Sequence, residues 1–270
     1  MKAPGSKLQC NANNNRGIAG LATHPLTALM FATGMLPGWS LANTITPDRT
    51  TATTVDVAGN LSDIRTGTVR GKTGFNSFDD FKVSQGNVVN LHVPGSATHL
   101  VNLVNNSRAE INGTLNGVMN GNIGGHIIFA DPHGFVVGSS GVVNVGSLTV
   151  TTPNTSEMAR LRDLVKPGVN DDVANALVDD LVAGRLSPAA LNGDGSNVII
   201  IDGLVNTNGA LNLQGASVIV GATAHLQAGT DAARTVFEST VNTHGLSIGT
   251  DAVRGDGGIR ITAAQDVNIS

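Results

Sequence analysis

Residues 126–152 read His-Ile-Ile-Phe-Ala-Asp-Pro-His-Gly-Phe-Val-Val-Gly-Ser-Ser-Gly-Val-Val-Asn-Val-Gly-Ser-Leu-Thr-Val-Thr-Thr. Four short runs, Ile127-Ile128-Phe129, Phe135-Val136-Val137, Val142-Val143 and Leu148-Thr149-Val150, are cut every few residues by Gly, Pro, Asn or Asp. β-Branched and aromatic side chains suit a pleated surface. Asp131-Pro132-His133-Gly134 and Ser139-Ser140-Gly141 are turn chemistry. Strands this short, joined by turns this tight, point to a chain wound as a solenoid.

The stretch also repeats. Val143-Asn144-Val145-Gly146-Ser147-Leu148-Thr149-Val150 matches Val205-Asn206-Thr207-Asn208-Gly209-Ala210-Leu211-Asn212-Leu213 with one residue inserted, and Val241-Asn242-Thr243-His244-Gly245-Leu246-Ser247-Ile248 is a third copy. In each, Val-Asn starts a turn, Gly comes next, and alternating apolar residues complete the unit. This pattern predicts an all-β fold, a parallel β-helix whose coils bury their inward positions against the coils above and below. Alternation divides Val143, Val145, Leu148 and Val150 between inside and outside, and puts Leu211 and Leu213 inside. A β-sandwich also uses short, evenly spaced strands, but sandwich loops have no reason to resemble one another. Asn-Gly dipeptides at 112–113, 116–117, 120–121, 192–193 and 208–209 add further tight turns.

On the N-terminal side the regime is the same. Phe75-Asn76-Ser77-Phe78 and Phe81-Lys82-Val83 gather three of the seven Phe residues, enough to plug one end or face of a core. A helix through 77–83 has little room between Gly74 and Gly86. Val88–Val93 and Leu100–Val104 read as strands, with Asn102 at the position that faces out. Residues 154–196 differ. Asn154-Thr155-Ser156 caps a helix over 157–166 with Met158, Leu161, Leu164 and Val165 on one face. Asn170 caps another over 171–183 with Val173, Ala176, Leu177, Asp180 and Leu181 as its stripe. This is a helical insertion in the solenoid, and strands resume at 197–270.

The 270-residue chain is 13% charged and 3% aromatic, with 34 Gly and no Tyr. A helical bundle needs more charge than this, and disorder needs less than its 40% hydrophobic content. Solubility falls to Asn, Thr and Ser, which stack as ladders in β architectures. A net charge of −4 without a basic stripe gives no electrostatic claim on nucleic acid.

Lys2, Lys7 and Arg16 precede an apolar run, Leu26–Leu36, and no acid appears before Asp48. Pro37-Gly38 breaks the run and Ser40-Leu41-Ala42 supplies small residues at cleavage spacing, so 1–42 reads as a signal peptide. A buried helix is the bland alternative. Cys10, the single cysteine, falls in this leader, which leaves a mature chain free of disulfides; this fits export in an unfolded state, although any protein can lack Cys.

With these residues in view, the chain resembles the N-terminal secretion domains of filamentous-haemagglutinin-like exoproteins, most nearly the leukotoxin-like filamentous adhesins. Phe75-Asn76-Ser77-Phe78 looks like that family's Asn-x-Phe block, and Phe129-Ala130-Asp131-Pro132-His133-Gly134 looks like its Asn-Pro-Asn-Gly turn. Asp131 stands for the first Asn and His133 for the second. The family's Asn-Pro-Asn-Leu motif has no match; Asn105-Asn106-Ser107 sits in its region without the Pro. The resemblance is strongest over 70–153. It implies a right-handed coil with an N-terminal cap and a secretion domain over 43–153. It also implies two-partner secretion through an outer-membrane barrel with periplasmic polypeptide-transport-associated domains, delivering the protein to the outside or surface of a Gram-negative cell. Such adhesins are longer, and this sequence ends at Ser270 within a repeat. Asn76, Phe78, Asp131, Pro132, His133 and Gly134 become the candidates for transporter recognition or an essential turn.

Other motifs weigh less. Arg254-Gly255-Asp256 is an integrin-type tripeptide that would address a host cell surface, but three residues arise by chance and a solvated turn serves as well. His92 and His99 are read as having no acid or Cys near them, and His225 and His244 fall in different coils, so no metal or cofactor site is expected. Asp202, Asp231 and Asp251 stand apart amid Gly, Asn and Thr, which argues against an enzyme. The alternative function is a β-helix carbohydrate-active enzyme or binding module, which a groove with two close carboxylates would favour.

Overall fold

A computed structural model of the protein describes residues 41–191, 197–229 and 258–269. Four short strands open it: β1 (Thr44–Pro47), β2 (Thr53–Ala58), β3 (Leu61–Thr66) and β4 (Val69–Arg70). The chain then winds. A first turn holds β5 (Thr73–Val83) and β6 (Val88–His92). A second holds β7 (His99–Val104), β8 (Ala109–Ile111) and β9 (Thr114–Met119), trailed by β10 (Asn122–Ile123). A third holds β11 (His126–Ala130), β12 (Phe135–Val137) and β13 (Val142–Val145). The fourth begins with β14 (Ser147–Thr151), departs into α1 (Thr155–Asp163) and α2 (Asp171–Val182), and returns through β15 (Val198–Ile201) and β16 (Leu204–Thr207). β17 (Leu211–Val220), β18 (His225–Ala228) and β19 (Ile259–Ile269) continue the winding.

Pairing between turns is parallel and in register. One face stacks β5, β7, β11, β14, β17 and β19, a second stacks the end of β5 with β8, β12, β15 and the end of β17, and a third stacks β3, β6, β9, β13, β16 and β18. Antiparallel pairing at the start joins β1 to β5 and β2 to β3. The fold is a parallel β solenoid.

In-register stacking places like residues in columns. Leu100, Ile127, Leu148 and Leu211 form one inner column, and Leu115, Val143 and Val205 another. Within the tube Phe78, Phe81, Phe129 and Phe135 run as a chain of tilted rings 5.1–5.2 Å apart. The matched repeats hold in space: Val143 pairs with Val205, Asn144 with Asn206, Leu148 with Leu211 and Val150 with Leu213. The expected division of Val143, Val145, Leu148 and Val150 does not occur. All four lie in the inner core, because the corner at Gly146 resets the alternation between β13 and β14. A Cβ on Gly146 would sit 2.5 Å from the Gly125 carbonyl oxygen, so only glycine lets neighbouring corners stack.

Asn102 likewise does not face out. It is fully buried on the side of Leu100 and Val104, where its Oδ1 accepts from Asn76 Nδ2 at 3.0 Å and its Nδ2 donates to the Ile128 carbonyl at 3.2 Å. Thr53 of β2 closes this pair by donating to Asn76 Oδ1 at 2.9 Å. A longer amide ladder climbs the third face. Asn144 donates to Asn116 at 2.9 Å, Asn116 to Asn90 at 3.0 Å, and Asn90 to Asp63 at 3.1 Å. Each amide nitrogen of this ladder donates to the coil before it, while Asn144 Oδ1, at the end of the ladder, is buried without a partner among the described residues.

The two helices begin at the expected caps, Asn154 and Asn170, whose side chains accept from the Glu157 and Asp172 amides at 2.8 and 2.7 Å. The stripe of α2 is shifted by one residue. Ala174, Leu177, Val178 and Leu181 are buried, whereas Val173 is 58% exposed and Ala176 is exposed. Together with Met158, Leu161, Leu164 and Val165 they pack on Phe75, Val101, Leu103, Ile128 and Ala130, the outward residues of β5, β7 and β11. The winding closes beneath them through an antiparallel bridge between Pro153 and Leu191.

Candidate functional site

Asp131 comes directly after β11, where the chain turns from the first face to the second. Its Oδ1 accepts from the His133 amide at 2.8 Å, the side-chain-to-backbone turn that Asx residues make. Its Oδ2 reaches one coil back and accepts from the Ala109 amide, the first residue of β8, at 2.7 Å. One carboxylate therefore ties its own turn to the preceding coil. Gly134 completes the turn at φ +104, and a Cβ there would lie 2.6 Å from the Val198 carbonyl oxygen. Burial pushes the Asp131 carboxyl up to about 7, against the opposing pull of the His133 and Ala109 amides and the Arg108 charge. Pro132 is half-buried and His133 exposed, with His133 Nδ1 3.4 Å from Asp131 Oδ1.

Asn76 and Phe78 lie on β5 and are 0% exposed. They do not form one constellation with the Asp131 turn by direct bonding: Asn76 bonds Asn102 and Thr53, and Phe78 stacks on Phe81. What joins the two motifs is the aromatic chain through Phe81 and Phe129. Asn105-Asn106-Ser107 builds the corresponding corner of the second coil. Asn105 Nδ2 donates to Asp48 Oδ2, Ser77 Oγ and the Phe78 carbonyl at 2.9, 3.1 and 2.9 Å, while Asn106 bonds Asp79 at 3.1 Å and Ser107 bonds Asp80. Asp48, Arg108 and Ala109 thus take part in these corners. Their local sequence does not mark these roles, since the bonds from Asp48 to Ser77 and Asn105 and from Ala109 to Asp131 reach a coil or more away.

His92 does have an acid nearby, contrary to the sequence reading. Stacking β6 on β3 brings Asp63 Oδ1 to 2.7 Å from His92 Nε2. Against the burial that opposes it, hydrogen bonds from His92 and Asn90 with the charges of His92 and Arg65 hold the Asp63 carboxyl below its ordinary value. His99 and His126 stack in adjacent coils, ring centroids 5.5 Å apart, and His126 Nε2 lies 2.8 Å from Thr149 Oγ1. Burial, with the neighbouring His99, drives His126 down to about 3. Among the described residues no three His, Cys, Asp or Glu side chains gather as a metal site. A cleft of about 570 Å³ between α1 and the first two coils is lined by Asp48, Asp79 and Asp163 with Asn105, Arg162 and Lys166. Its carboxylates are held: Asp48 by Thr50, Ser77 and Asn105, Asp79 by Asn106, and Asp163 by Lys166 at 2.5 Å. The Arg254-Gly255-Asp256 tripeptide, the third repeat copy, Asp231, Asp251 and the leader through Ser40 lie outside the described residues.

The model of the TPS secretion domain family matches residues 43–269. The chain belongs to that family, the secretion domains of two-partner-system exoproteins. The match runs through the helical insertion and well beyond the 70–153 segment that carries the sequence resemblance. Among solved structures, the TPS domain is similar to the HMW1 secretion domain from Haemophilus influenzae, at 16% identity and a TM-score of 0.41. That similarity covers 67% of this chain and 40% of the other. No curated protein matches the sequence.

Proposed function

We propose that this domain hands its exoprotein, an adhesin or leukotoxin-like filament, to an outer-membrane barrel whose periplasmic polypeptide-transport-associated domains bind it as an unfolded chain. A leader over 1–42 is removed first. On the outside of a Gram-negative cell, β1 and β2 cap the first coil and winding proceeds right-handed, the hand that parallel crossovers take. The work is recognition rather than chemistry, and the candidate residues are Asn76, Phe78 and the Asp131–Gly134 turn. Burial carries the reading: Asn76, Phe78 and Asp131 are each 0% exposed, so a partner that contacts them meets them before the coils close. The same contacts give them a second role, since a residue that shapes the first coils also sets how readily folding starts.

A cross-link tests whether the chain crosses unfolded. Glu110 and Val136 are register partners on adjacent coils and both are half-buried. Adjacent strands lie about 4.8 Å apart, within reach of a disulfide. Glu110→Cys with Val136→Cys, co-expressed with the barrel, is expected to be released when kept reduced and retained once the bond forms in the periplasm. Equal release with the bond intact refutes the proposal.

A further inference from the structure

In a solenoid each turn touches only the turns on either side of it, so distant turns are weakly coupled and the ends can open on their own. The helical insertion departs from that rule. Its apolar side packs on a floor of Phe75, Val101, Leu103, Ile128 and Ala130, which belong to β5, β7 and β11 of the first three turns. Polar contacts tie it to the same end of the stack. Arg70 Nη2 donates to the Lys166 carbonyl at 3.1 Å, the Lys72 amide to Asn175 Oδ1 at 3.2 Å, and Arg162 Nε to Asn105 Oδ1 at 2.8 Å.

The far end of α2 is held by strands that come after the insertion. The last carbonyls of a helix have no i+4 amide to accept from, and α2 has no basic residue in its final turn. Donors from β17 and β19 serve them instead. Gln214 Nε2 donates to the Leu181 carbonyl at 2.9 Å, Asn212 Nδ2 to the Val182 carbonyl at 2.8 Å, and Arg260 Nη1 to the Ala183 carbonyl at 2.6 Å. Dimensions agree with this double attachment. On the first face β5 and β17 are four strand steps apart, roughly 19 Å at the usual strand spacing. The 12 residues of α2 extend about 18 Å along their axis.

We propose that α1–α2 is a brace running along the solenoid, which couples the first turns to those that follow the helices and makes the stack open as one unit. Its first anchor is apolar and its second is a set of hydrogen bonds to helix carbonyls. The second anchor forms only once β17 and β19 have wound, so the first turns are secured late, after the chain beyond the helices is in place. Coupling of this kind is reciprocal: a disturbance at either end is felt at the other.

Hydrogen exchange of the folded chain, read by mass spectrometry, tests the brace. Leu91→Ala opens a cavity in β6 of the first turn, where Leu91 is 0% exposed. In the otherwise intact chain it should speed exchange in β17, several turns away, by at least about tenfold. With the second anchor cut by Asn212→Ala, Gln214→Ala and Arg260→Ala, the same replacement should speed β17 less than about twofold. The neighbouring strand β9 should respond in both backgrounds, which shows that the disturbance is read. Should Leu91→Ala not fold, Val89→Ala on the same strand removes less volume and makes the same comparison. Should the triple replacement not fold, Asn212→Ala with Arg260→Ala keeps the buried Gln214 and should still cut the response of β17 to below about half. Equal acceleration of β17 in both backgrounds means that coupling passes through the stacked turns, and no acceleration in either means that none reaches β17. Either result overturns the inference.

Discussion

Replacing Asp131 by Asn exchanges an oxygen for an NH₂ group at a fully buried side chain where both oxygens are in use. Two backbone amides aim at the two carboxylate oxygens, from His133 at 2.8 Å and from Ala109 at 2.7 Å. Asparagine can accept only one and turns its NH₂ towards the other, a loss of about 1–3 kcal/mol for an unsatisfied buried donor. That loss does not depend on pH, whereas the wild-type contribution does. Burial raises the Asp131 carboxyl from its ordinary 3.8 to about 7. Between those values the folded form holds more protons than the unfolded form, so stability is lost as pH rises through the window. The full effect is about 4 kcal/mol, of which roughly 3 falls between about pH 5 and about pH 8.5. Urea unfolding followed by circular dichroism at both values, for wild type and Asp131→Asn, isolates the term from all other titrations. The difference should move in favour of Asn by about 3 kcal/mol at the higher pH. Parallel curves, or a shift in favour of Asp, would mean that the two amides hold the carboxylate ionised in spite of its burial.

His126 acts in the opposite direction. Its folded value near 3 lies below the ordinary 6.5, so stability is fully present above 6.5 and is lost as pH falls towards 3; at about pH 4.5 the loss is about 2–3 kcal/mol, and a His126→Gln variant should lack it in the same unfolding assay. Asn116→Ala strands Asn144 Nδ2 on one side and Asn90 Oδ1 on the other, at a cost of about 2–4 kcal/mol, whereas Asn144→Ala should cost roughly half of that. Equal urea midpoints for both variants and wild type would show that the ladder contributes nothing.

Much of the solenoid was legible because stacking makes sequence periodic. Val143 and Val205 carry the same residue type for the reason that they occupy one column, and the single inserted residue between Asn144–Leu148 and Asn206–Leu211 is where the corner lengthens. The caps at Asn154 and Asn170 were legible because an Asx side chain at a helix start satisfies a local amide. Alternation failed where a partner lies one coil away. Asn102 looks like a surface residue until Asn76 appears beside it, and His92 looks isolated until Asp63 does. Coil length decides both, and here it varies, with bonded ladder partners 26 residues apart at one step and 28 at the next. The phase of α2 differs by one residue from the stripe its sequence suggests because Val173 and Val178 are equally apolar, and only the floor of Val101 and Ile128 selects between them. In the candidate site the Asp131–His133 turn was visible, being local, while the second bond to Ala109 was not.

Release tests the central claim most directly. Residues 1–270 expressed in a Gram-negative host should appear in the medium or on the cell surface when a two-partner-secretion barrel is supplied, and should stay in the periplasm when it is absent. Release that is the same with and without the barrel, or retention in both cases, would contradict the account.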